Sequence, residues 1–546
     1  MHGTHLRPLL IANALFAYTR SRELNGHLFY AIAVSWAVTL SLHLLVWRSW
    51  IYPYYCSPLR DIPTVKGCPL WGQFFDIIAE ECGVPQRRWH QQYGPVIRYF
   101  FPFGSERLSV ADEGALKRIT VENPYNYPKP VRAKLWMARI LGEGLLLAEG
   151  VDHKIQRRAL APAFSTQSIR DLAPVFWEKA LLMSKCWQVE MRDANVTTKS
   201  IEVLEWLNRA TLDIIGKAGF GYDIDSLREP ASELREAYRL MFTFDIWSRV
   251  FHGVQAFIPS SKHLPVKMNR DMEQSRNIIV NTATGIIREK QAEAKSGGGK
   301  DIIALIAKHN MELQDAGERG LSSETMRDQV ITFLGAGHDT TATAVAWTLH
   351  LLSTYPKVQC RLREEVNAHF PHLFDPGSRC DITKLADADV DQLPYLDNVC
   401  RESLRYIPPI PLTVREALTD DVLAGYYVPA GTTVYVIANA INRLPEYWGD
   451  TADQFDPDRW NNLPATWSHH ALMTFSHGPR GCIGRKFSET EMKVLLCCLV
   501  SMFKFERDES TPDPEADKAW RLVLRPKHGM KLKTTAIETV VAKGVL

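Results

Sequence analysis

The stretch Phe475–Gly484, which reads F-S-H-G-P-R-G-C-I-G, decides the fold of this chain of 546 residues. It places one cysteine, Cys482, on a turn rich in glycine, with Arg480 two residues before it. Glycine lets backbone N–H groups approach a sulfur and leaves room for a flat ligand. An arginine can neutralise a neighbouring anionic group through a charge-assisted hydrogen bond. The stretch therefore predicts a metal that is held by the single thiolate of Cys482.

The ten cysteines include no C-x-x-C pair, which argues against a zinc knuckle and against a thioredoxin-like redox motif. A chain of this length does not need disulfides to stabilise its core, so we expect most of the thiols to be reduced and buried. The net charge is +2 and charged residues make up 23% of the chain. This balance argues against nucleic acid as a partner.

The same ten residues resemble the haem-binding signature of the cytochrome P450 superfamily. The match covers Phe475, Gly478, Arg480, Cys482 and Gly484. The resemblance implies a mainly α-helical fold with a small β subdomain, with haem b as the cofactor. It also implies that Cys482 is the axial ligand of the iron and that Arg480 contacts a haem propionate. A thiolate axial ligand pushes electron density onto the iron and favours cleavage of the O–O bond.

A second motif, A-G-H-D-T-T at residues 336–341, lies within a long helix that we predict from Ser322 to Tyr355. Glycine costs about 1 kcal/mol relative to alanine inside a helix, so its presence indicates another use, and we expect Gly337 to let the cofactor or dioxygen approach the backbone. We expect Thr340 to bond a backbone carbonyl and to widen the helix locally. The motif resembles the family's acid–alcohol pair, which implies that Asp339 relays protons and that Thr340 holds an ordered water or the reduced oxygen.

Three further residues are predicted to contact the haem. His153 and Arg157 stand where the family often has W-x-x-x-R, with His153 in place of the tryptophan. The spacing of four residues directs both side chains to one face of a helix. Arg415 follows the proline-rich turn P-P-I-P-L-T-V at residues 408–414, whose apolar residues are candidates to line a substrate pocket. The resemblance assigns all three basic side chains to the haem propionates.

A further motif, E-x-x-R, is formed by Glu402 and Arg405, which face each other on one side of a helix. Arg459 lies in F-D-P-D-R-W, where the family usually shows P-E-R-F. The resemblance implies that these three residues form a buried charge network. We assign them to the structure rather than to the chemistry.

The N-terminal region is predicted to be a membrane anchor. Residues 28–47 supply about 20 mostly apolar residues, enough to cross a hydrocarbon core of roughly 30 Å. Residues 9–18 are a candidate for a second, shorter membrane element, and a cleaved signal or a buried core helix is the alternative reading of the apolar run. The predicted organisation is an anchor at 1–50, a proline-rich hinge at 51–72 and a haem-thiolate catalytic domain at 73–546. This organisation predicts that the protein is located in the endoplasmic reticulum membrane by a single N-terminal anchor, with its catalytic domain in the cytosol.

The resemblance implies a monooxygenase that inserts one atom of dioxygen into a lipophilic substrate, which we expect to be a terpenoid, a polyketide or a fatty-acid-like molecule of fungal secondary metabolism. About 60 residues follow Cys482, too few for a flavin or nicotinamide module. We therefore expect electrons from NADPH through a separate NADPH–cytochrome reductase, with a cytochrome b-type protein as a second candidate donor. Two alternatives remain, a peroxide-rearranging isomerase, which the intact pair Asp339–Thr340 disfavours, and a non-catalytic haem sensor.

Overall fold

The computed structural model describes residues 28–537 apart from 230–231, 243–254, 256–260, 262–263, 265, 296–298, 372–381 and 521. Within these residues the fold is mainly helical, as the sequence predicts, with short strands that form small sheets. The described α-helices are α1 (Leu28–Val46), α2 (Phe74–Ala79), α3 (Val84–Tyr93), α4 (Glu113–Lys117), α5 (Val131–Leu141), α6 (Gly150–Leu160), α7 (Thr166–Asp193), α8 (Val203–Ile214), α9 (Glu233–Phe242), α10 (Lys267–Lys295), α11 (Ile302–Asp315), α12 (Ser323–Thr354), α13 (Pro356–His369), α14 (Ile382–Asp387), α15 (Pro394–Tyr406), α16 (Ala438–Ile441), α17 (Pro445–Trp448) and α18 (Arg485–Met502).

Four small sheets are found in the described residues. Their strands are β1 (Val96–Phe101), β2 (Ser105–Val110), β3 (Thr198–Glu202), β4 (Thr413–Glu416), β5 (Asp421–Leu423), β6 (Tyr426–Val428), β7 (Thr433–Val436), β8 (Phe503–Arg507), β9 (Lys518–Trp520), β10 (Leu524–Pro526) and β11 (Lys531–Ala536). The largest sheet has the order β1-β2-β7-β4, and the second has the order β3-β11-β8. The hairpins β5-β6 and β9-β10 complete the set. β2 and β7 pair in parallel, whereas the other pairs are antiparallel.

The helix α12 lies at the centre of the main hydrophobic core and contacts α8, α10, α15, α18 and β8. It begins where the sequence predicts, because the Ser322 hydroxyl caps its first turn by accepting a hydrogen bond from the Thr325 N–H at 3.1 Å. It ends at Thr354, before Pro356, which cannot continue a helix without losing a backbone donor. Its side chains are almost all buried between Gln329 and Leu352. A helix of 32 residues surrounded in this way fixes the positions of the elements that pack against it.

The predicted crossing helix at residues 28–47 is not confirmed. These residues form α1, a helix of 19 residues whose length is about 28 Å at 1.5 Å per residue. Among the residues that the structure describes, no helix is both long enough and apolar enough to cross a membrane. The second membrane element considered at residues 9–18 lies outside the described residues.

Part of the proline-rich segment 51–72 packs against the sheet. Leu59 and Ile62 are buried in the core beside β1 and β2, with 4% and 2% of their surface exposed. The Arg98 N–H donates to the Pro63 carbonyl at 2.8 Å, and the Val65 N–H donates to the Arg98 carbonyl at 2.9 Å. Residues 63–65 thus pair with β1, and this contact fixes how the N-terminal part of the chain leaves the domain.

Candidate functional site

The loop before Cys482 is held by its own backbone. The Cys482 N–H donates to the Phe475 carbonyl at 2.9 Å, and the Gly481 N–H donates to the Gly478 carbonyl at 2.9 Å. Gly478 has a φ of +67°, and a Cβ at this position would lie 2.0 Å from the Thr120 carbonyl oxygen. Glycine is therefore required at 478 for both conformation and space. Gly484 has a φ of −84°, so its backbone angle does not require glycine, although a Cβ there would meet open space.

The Cys482 side chain is exposed by surface area, yet burial raises the pKa of its thiol. Both observations hold if the sulfur faces a space that the protein itself encloses. The Gly484 N–H and the charge of Arg157 act in the opposite direction and lower the pKa of the thiol. α18 begins at Arg485, so the positive end of a helix lies just after the cysteine. The loop thus supplies a backbone donor and a nearby cation that favour the thiolate, the form that binds metal, against the opposing effect of burial.

The four basic side chains predicted for the propionates lie close enough to influence one another. Burial and then the charge of Arg480 lower the pKa of His153 to about 4, so the imidazole is neutral at pH 7. The same two causes, in the same order, lower the pKa of Arg415 to about 10. Arg157 donates from Nη1 to the Gly481 carbonyl at 2.7 Å, which ties α6 to the cysteine loop. The structure therefore brings all four predicted residues to one site beside Cys482.

Three residues of this site were not predicted. The Tyr125 hydroxyl lies 3.0 Å from His153 Nδ1, and its ring lies 5.2 Å below the Arg480 guanidinium. Glu149 contacts Arg480 and accepts a hydrogen bond from the Lys129 N–H at 3.0 Å. Burial, followed by the charge of Arg415, lowers the pKa of Lys129 to about 7. Tyr125 and Lys129 stand in the stretch N-P-Y-N-Y-P-K-P at residues 123–130, where proline indicated only a loop.

The residues at this site fit haem. Three guanidinium groups, from Arg157, Arg415 and Arg480, lie at this site, whereas the carboxylate beside Arg415 and Arg480 in the described structure is that of Glu149. Although Arg480 contacts Glu149, its three side-chain nitrogens are buried and make no well-formed hydrogen bond in the described structure. Buried donors of this kind call for acceptors, and two propionate carboxylates would supply them. An accessible thiol next to such a cluster is the donor set expected for a haem with a thiolate ligand.

The acid–alcohol pair lies in the middle of α12. In the segment 329–352 only Ala336, Gly337 and Thr340 are half-buried, and all the others are buried. Because these three residues lie three and four positions apart, they share one face of the helix. That face is the one open to accessible space, and the Thr340 hydroxyl is its only polar side chain. Thr341, on the adjacent face, lies against Glu491 of α18, so the helix that follows Cys482 packs beside the pair.

One expectation about α12 is not met, and another stays a prediction. The Thr340 hydroxyl donates to the Ala336 carbonyl at 2.9 Å as predicted, yet the helix continues as an α-helix without widening. A hydroxyl can share the carbonyl with the regular backbone bond, so the helix need not open. At Gly337, a Cβ would lie 3.2 Å from Ile215. This glycine therefore allows α12 to pack closely on the segment after α8, and the approach of a cofactor to it stays a prediction.

Asp339 has a partner that no local sequence signal indicated. Its carboxylate forms an ion pair with Arg525 of β10, which lies 186 residues away in the chain. The Asp339 side chain is 3% exposed and that of Arg525 is 24% exposed. Arg525 thus connects a buried acid of α12 with the surface.

The buried charge network is confirmed by the geometry. Arg405 donates from Nε and Nη2 to Glu402 at 2.8 and 2.7 Å, and both side chains are fully buried. Arg459 Nε donates to the same carboxylate at 3.3 Å. Trp460, a departure from the family pattern, donates from Nε1 to Glu402 at 3.1 Å. The tryptophan therefore adds a further donor to the network and explains why the departure is tolerated.

Comparisons with known proteins identify the family of this chain. A sequence model of the cytochrome P450 family matches residues 62–534. Cytochrome P450 monooxygenase sphH of Aspergillus fumigatus is 33% identical, over 91% of this chain and 92% of that protein. Cytochrome P450 monooxygenase FUM15 of Gibberella moniliformis is 33% identical, over 94% of this chain and 91% of that protein. Cytochrome P450 monooxygenase 205 of Postia placenta is 34% identical, over 89% of this chain and 93% of that protein. The chain belongs to the cytochrome P450 family and is a haem-thiolate monooxygenase, which binds haem b with a cysteine thiolate as the axial ligand of the iron.

Proposed function

We propose that Cys482 is the axial ligand and that His153, Arg157, Arg415 and Arg480 hold the propionate side of the haem. The observation that carries this proposal is the accessible Cys482 thiol beside a cluster of buried cations. When bound, haem supplies the iron at which dioxygen is reduced and the O–O bond is split. Among the ten cysteines, Cys482 alone stands in the family's signature, whereas Cys400, Cys497 and Cys498 are buried in the hydrophobic core.

The proposed role of α12 is proton delivery. Asp339 would take up a proton from solvent and pass it to the hydroxyl of Thr340, which is polar, half-buried and fixed by its bond to the Ala336 carbonyl. A positioned acid of this kind contributes about 10²–10⁴-fold to a proton-transfer step. Delivery of protons in order would direct the electrons into the product rather than into hydrogen peroxide.

The proposed substrate is lipophilic, a terpenoid, a polyketide or a fatty-acid-like molecule of fungal secondary metabolism. Monooxygenases of this family generally act on lipophilic substrates, and the relatives compared above come from fungi. Ile410, Leu412 and Val414 are half-buried and apolar. The turn that carries them is joined to β10 by a hydrogen bond from the Leu524 N–H to the Pro409 carbonyl at 2.8 Å. Apolar side chains that line a pocket favour substrates of this kind, and these three residues are the proposed lining.

The proposed electron source is NADPH, through a separate reductase, with a cytochrome b-type protein as a second donor. A reductase would dock through basic residues near the cysteine loop, for which Lys154, Arg158, Arg485 and Lys486 are the candidates. Three of them have acidic partners in the chain, since Arg158 pairs with Glu318, Arg485 with Glu489 and Lys486 with Asp391. Lys154 lies over the Tyr125 ring at 4.6 Å. Such pairing reduces the net positive charge of the surface formed by these four residues. The rate at which the reductase reduces the haem should therefore depend only modestly on ionic strength.

The proposed location is the endoplasmic reticulum membrane, with the catalytic domain in the cytosol. The support is the exposed apolar surface of α1, where Val34, Val38, Leu42 and Leu44 have 52–61% of their surface exposed. Exposed apolar surface on this scale is typical of a membrane contact. Removal of residues 1–47 should release the protein from microsomes. If the shortened chain stays with the membranes after an alkaline wash, this segment is not the attachment.

The function is tested by the reduced carbon-monoxide difference spectrum, followed by turnover with reductase and lipophilic compounds. Cys482→Ala should lose the thiolate-type band, whereas Cys360→Ala, at an exposed cysteine, should keep it. Thr340→Ala should keep the band but release several times more hydrogen peroxide per NADPH. The matched control is Thr354→Ala, which removes the same hydroxyl-to-carbonyl bond at the end of the same helix. A fully coupled Thr340→Ala enzyme would remove Thr340 from the proposed pathway.

A further inference from the structure

A small cavity lies between the C-terminal end of α5, the first half of α10 and the first part of α12. Both α5 and α10 pack on α12, and the cavity has a volume of about 180 Å³. Ile140, Ile279 and Ile331 form an apolar wall, with 2%, 1% and 5% of their surface exposed. An apolar cavity of about 150 Å³ holds benzene in an engineered protein. This cavity therefore has room for a small organic molecule.

The cavity lies on the far side of α12 from the candidate haem site. Ala336, Gly337 and Thr340 share the face of α12 that is open at that site. Ile331 stands nine residues before Thr340, which is about two and a half turns of helix, so it lies on the opposite face. The described lining of the cavity contains none of the residues assigned to the haem. A ligand here would occupy a second site, separated from the haem by α12.

Three guanidinium groups line the same cavity, and one of them is already neutralised. Arg327 donates from Nε and Nη2 to Asp328 Oδ1 at 3.0 and 2.9 Å. Arg139 and Arg276, by contrast, form no ion pair within the described ranges. The charge of Glu273 on α10 acts on Arg139 without being in ion-pair contact with it. Because Asp328 carries the only carboxylate in the described lining, the cavity has an excess of positive charge.

Arg139 is held in place by uncharged groups. Its Nη1 donates to Gln255 Oε1 at 2.6 Å, and Gln255 Nε2 donates to Asn269 Oδ1 at 2.9 Å. Asn269 Nδ2 in turn donates to the Leu264 carbonyl at 2.8 Å. The two amides are buried, with 7% and 6% of their surface exposed. Burial, followed by the charge of Arg276, lowers the pKa of Arg139, so the two cations destabilise each other. The protein thus orients a guanidinium group without neutralising it.

We propose that this cavity binds a small lipophilic carboxylic acid. Arg139 and Arg276 hold the carboxylate, and the isoleucine wall contacts the apolar body of the acid. Guanidinium groups match the geometry of carboxylates and form charge-assisted hydrogen bonds with them. A carboxylate between the two cations removes their repulsion and joins α5 to α10. Because α12 separates the cavity from the haem, the acid is a second ligand and not the molecule that is oxidised.

The first test is a calorimetric titration of the full-length, haem-loaded protein at about pH 7, with an azole already bound to the iron. Benzoate, which is ionised at this pH, should bind. Benzyl alcohol has the same ring without the charge and should bind about tenfold more weakly, because it cannot pair with the two cations. The Soret band of the azole complex should not change, since the two sites are separate.

Three outcomes of this titration would overturn the proposal. The first is that benzoate does not bind to the wild type, and the second is that benzyl alcohol binds as tightly as benzoate. The third is that benzoate displaces the azole, which would place it in the haem pocket. None of these outcomes bears on the proposed oxidation, because the iron is blocked throughout.

The second test uses charge variants that keep their haem. Arg139→Gln and Arg276→Gln should each weaken the binding of benzoate about tenfold, and the double variant should lose it. Arg319→Gln is the matched control, since it removes an exposed cation that pairs with Asp152 outside this cavity. Benzoate should also raise the Tm of the wild type and of the control, but not of the double variant. An unchanged carbon-monoxide spectrum shows that each variant folds, and undiminished binding in the double variant would refute the proposal.

Discussion

Gly478→Ala should destabilise the protein through the loop that carries Cys482. The backbone at this position has a φ of +67°, which costs an alanine about 1–2 kcal/mol. The added Cβ would lie 2.0 Å from the Thr120 carbonyl oxygen, so the loop must also move away from the turn at residues 118–122. Overpacking against backbone typically costs a further 1–3 kcal/mol. The free energy of unfolding should therefore fall by about 2–5 kcal/mol.

The assay is thermal unfolding of the haem-loaded protein at one scan rate, together with haem content per protein. At roughly 2 cal/mol/K per residue, a domain of this size unfolds with an entropy of about 1 kcal/mol/K, so the expected fall in Tm is about 2–5 °C. Gly425→Ala is the matched control, since its φ is +84° but no atom lies within 4 Å of the added Cβ. The control isolates the backbone cost. Equal losses in the two variants would refute the steric part of the argument, and no loss in Gly478→Ala would refute all of it.

Three further changes test other parts of the site. Glu402→Gln leaves two buried arginines without their carboxylate and should cost about 3–5 kcal/mol in urea unfolding, whereas Glu489→Gln, at a partly exposed pair, should cost less than about 1 kcal/mol. Arg480→Gln should fold but lose haem to apomyoglobin several times faster, because one propionate loses its cation. Burial lowers the pKa of His153 and His338 to about 4, so the unfolded chain binds more protons than the folded one between about pH 6.5 and pH 4. As far as these two groups are concerned, the free energy of unfolding should be constant above about pH 6.5 and should fall as the pH drops below that value. A free energy of unfolding that does not change between about pH 6.5 and pH 4 would contradict the burial of both rings.

The sequence predicted those features that depend on a few adjacent residues. The cap of α12, its end before Pro356 and the turn at Gly478 follow from local backbone chemistry, so they could be predicted from the printed residues. The Glu402 network was predicted through the family pattern and not from spacing, because E-x-x-R is common on any exposed helix. The contacts of Glu149 with Arg480 and of Asp339 with Arg525 join distant segments that carry no matching pattern. Such pairs become visible only when the fold has placed both partners.

The packing around Gly337 is another feature that only the fold shows. From the sequence, a glycine before an acid and a threonine indicates room for a cofactor, and in the structure a Cβ added at this position would lie 3.2 Å from Ile215. The contact with Ile215 fixes how closely α12 lies against the segment after α8. The contact of Thr341 with Glu491 fixes where α12 lies against α18. Because Cys482 immediately precedes α18, the packing of α12 on α18 determines the separation between the thiolate and the Thr340 hydroxyl. We infer that the spacing of the two chemical groups depends on packing around residues 215, 341 and 491, none of which takes part in the chemistry.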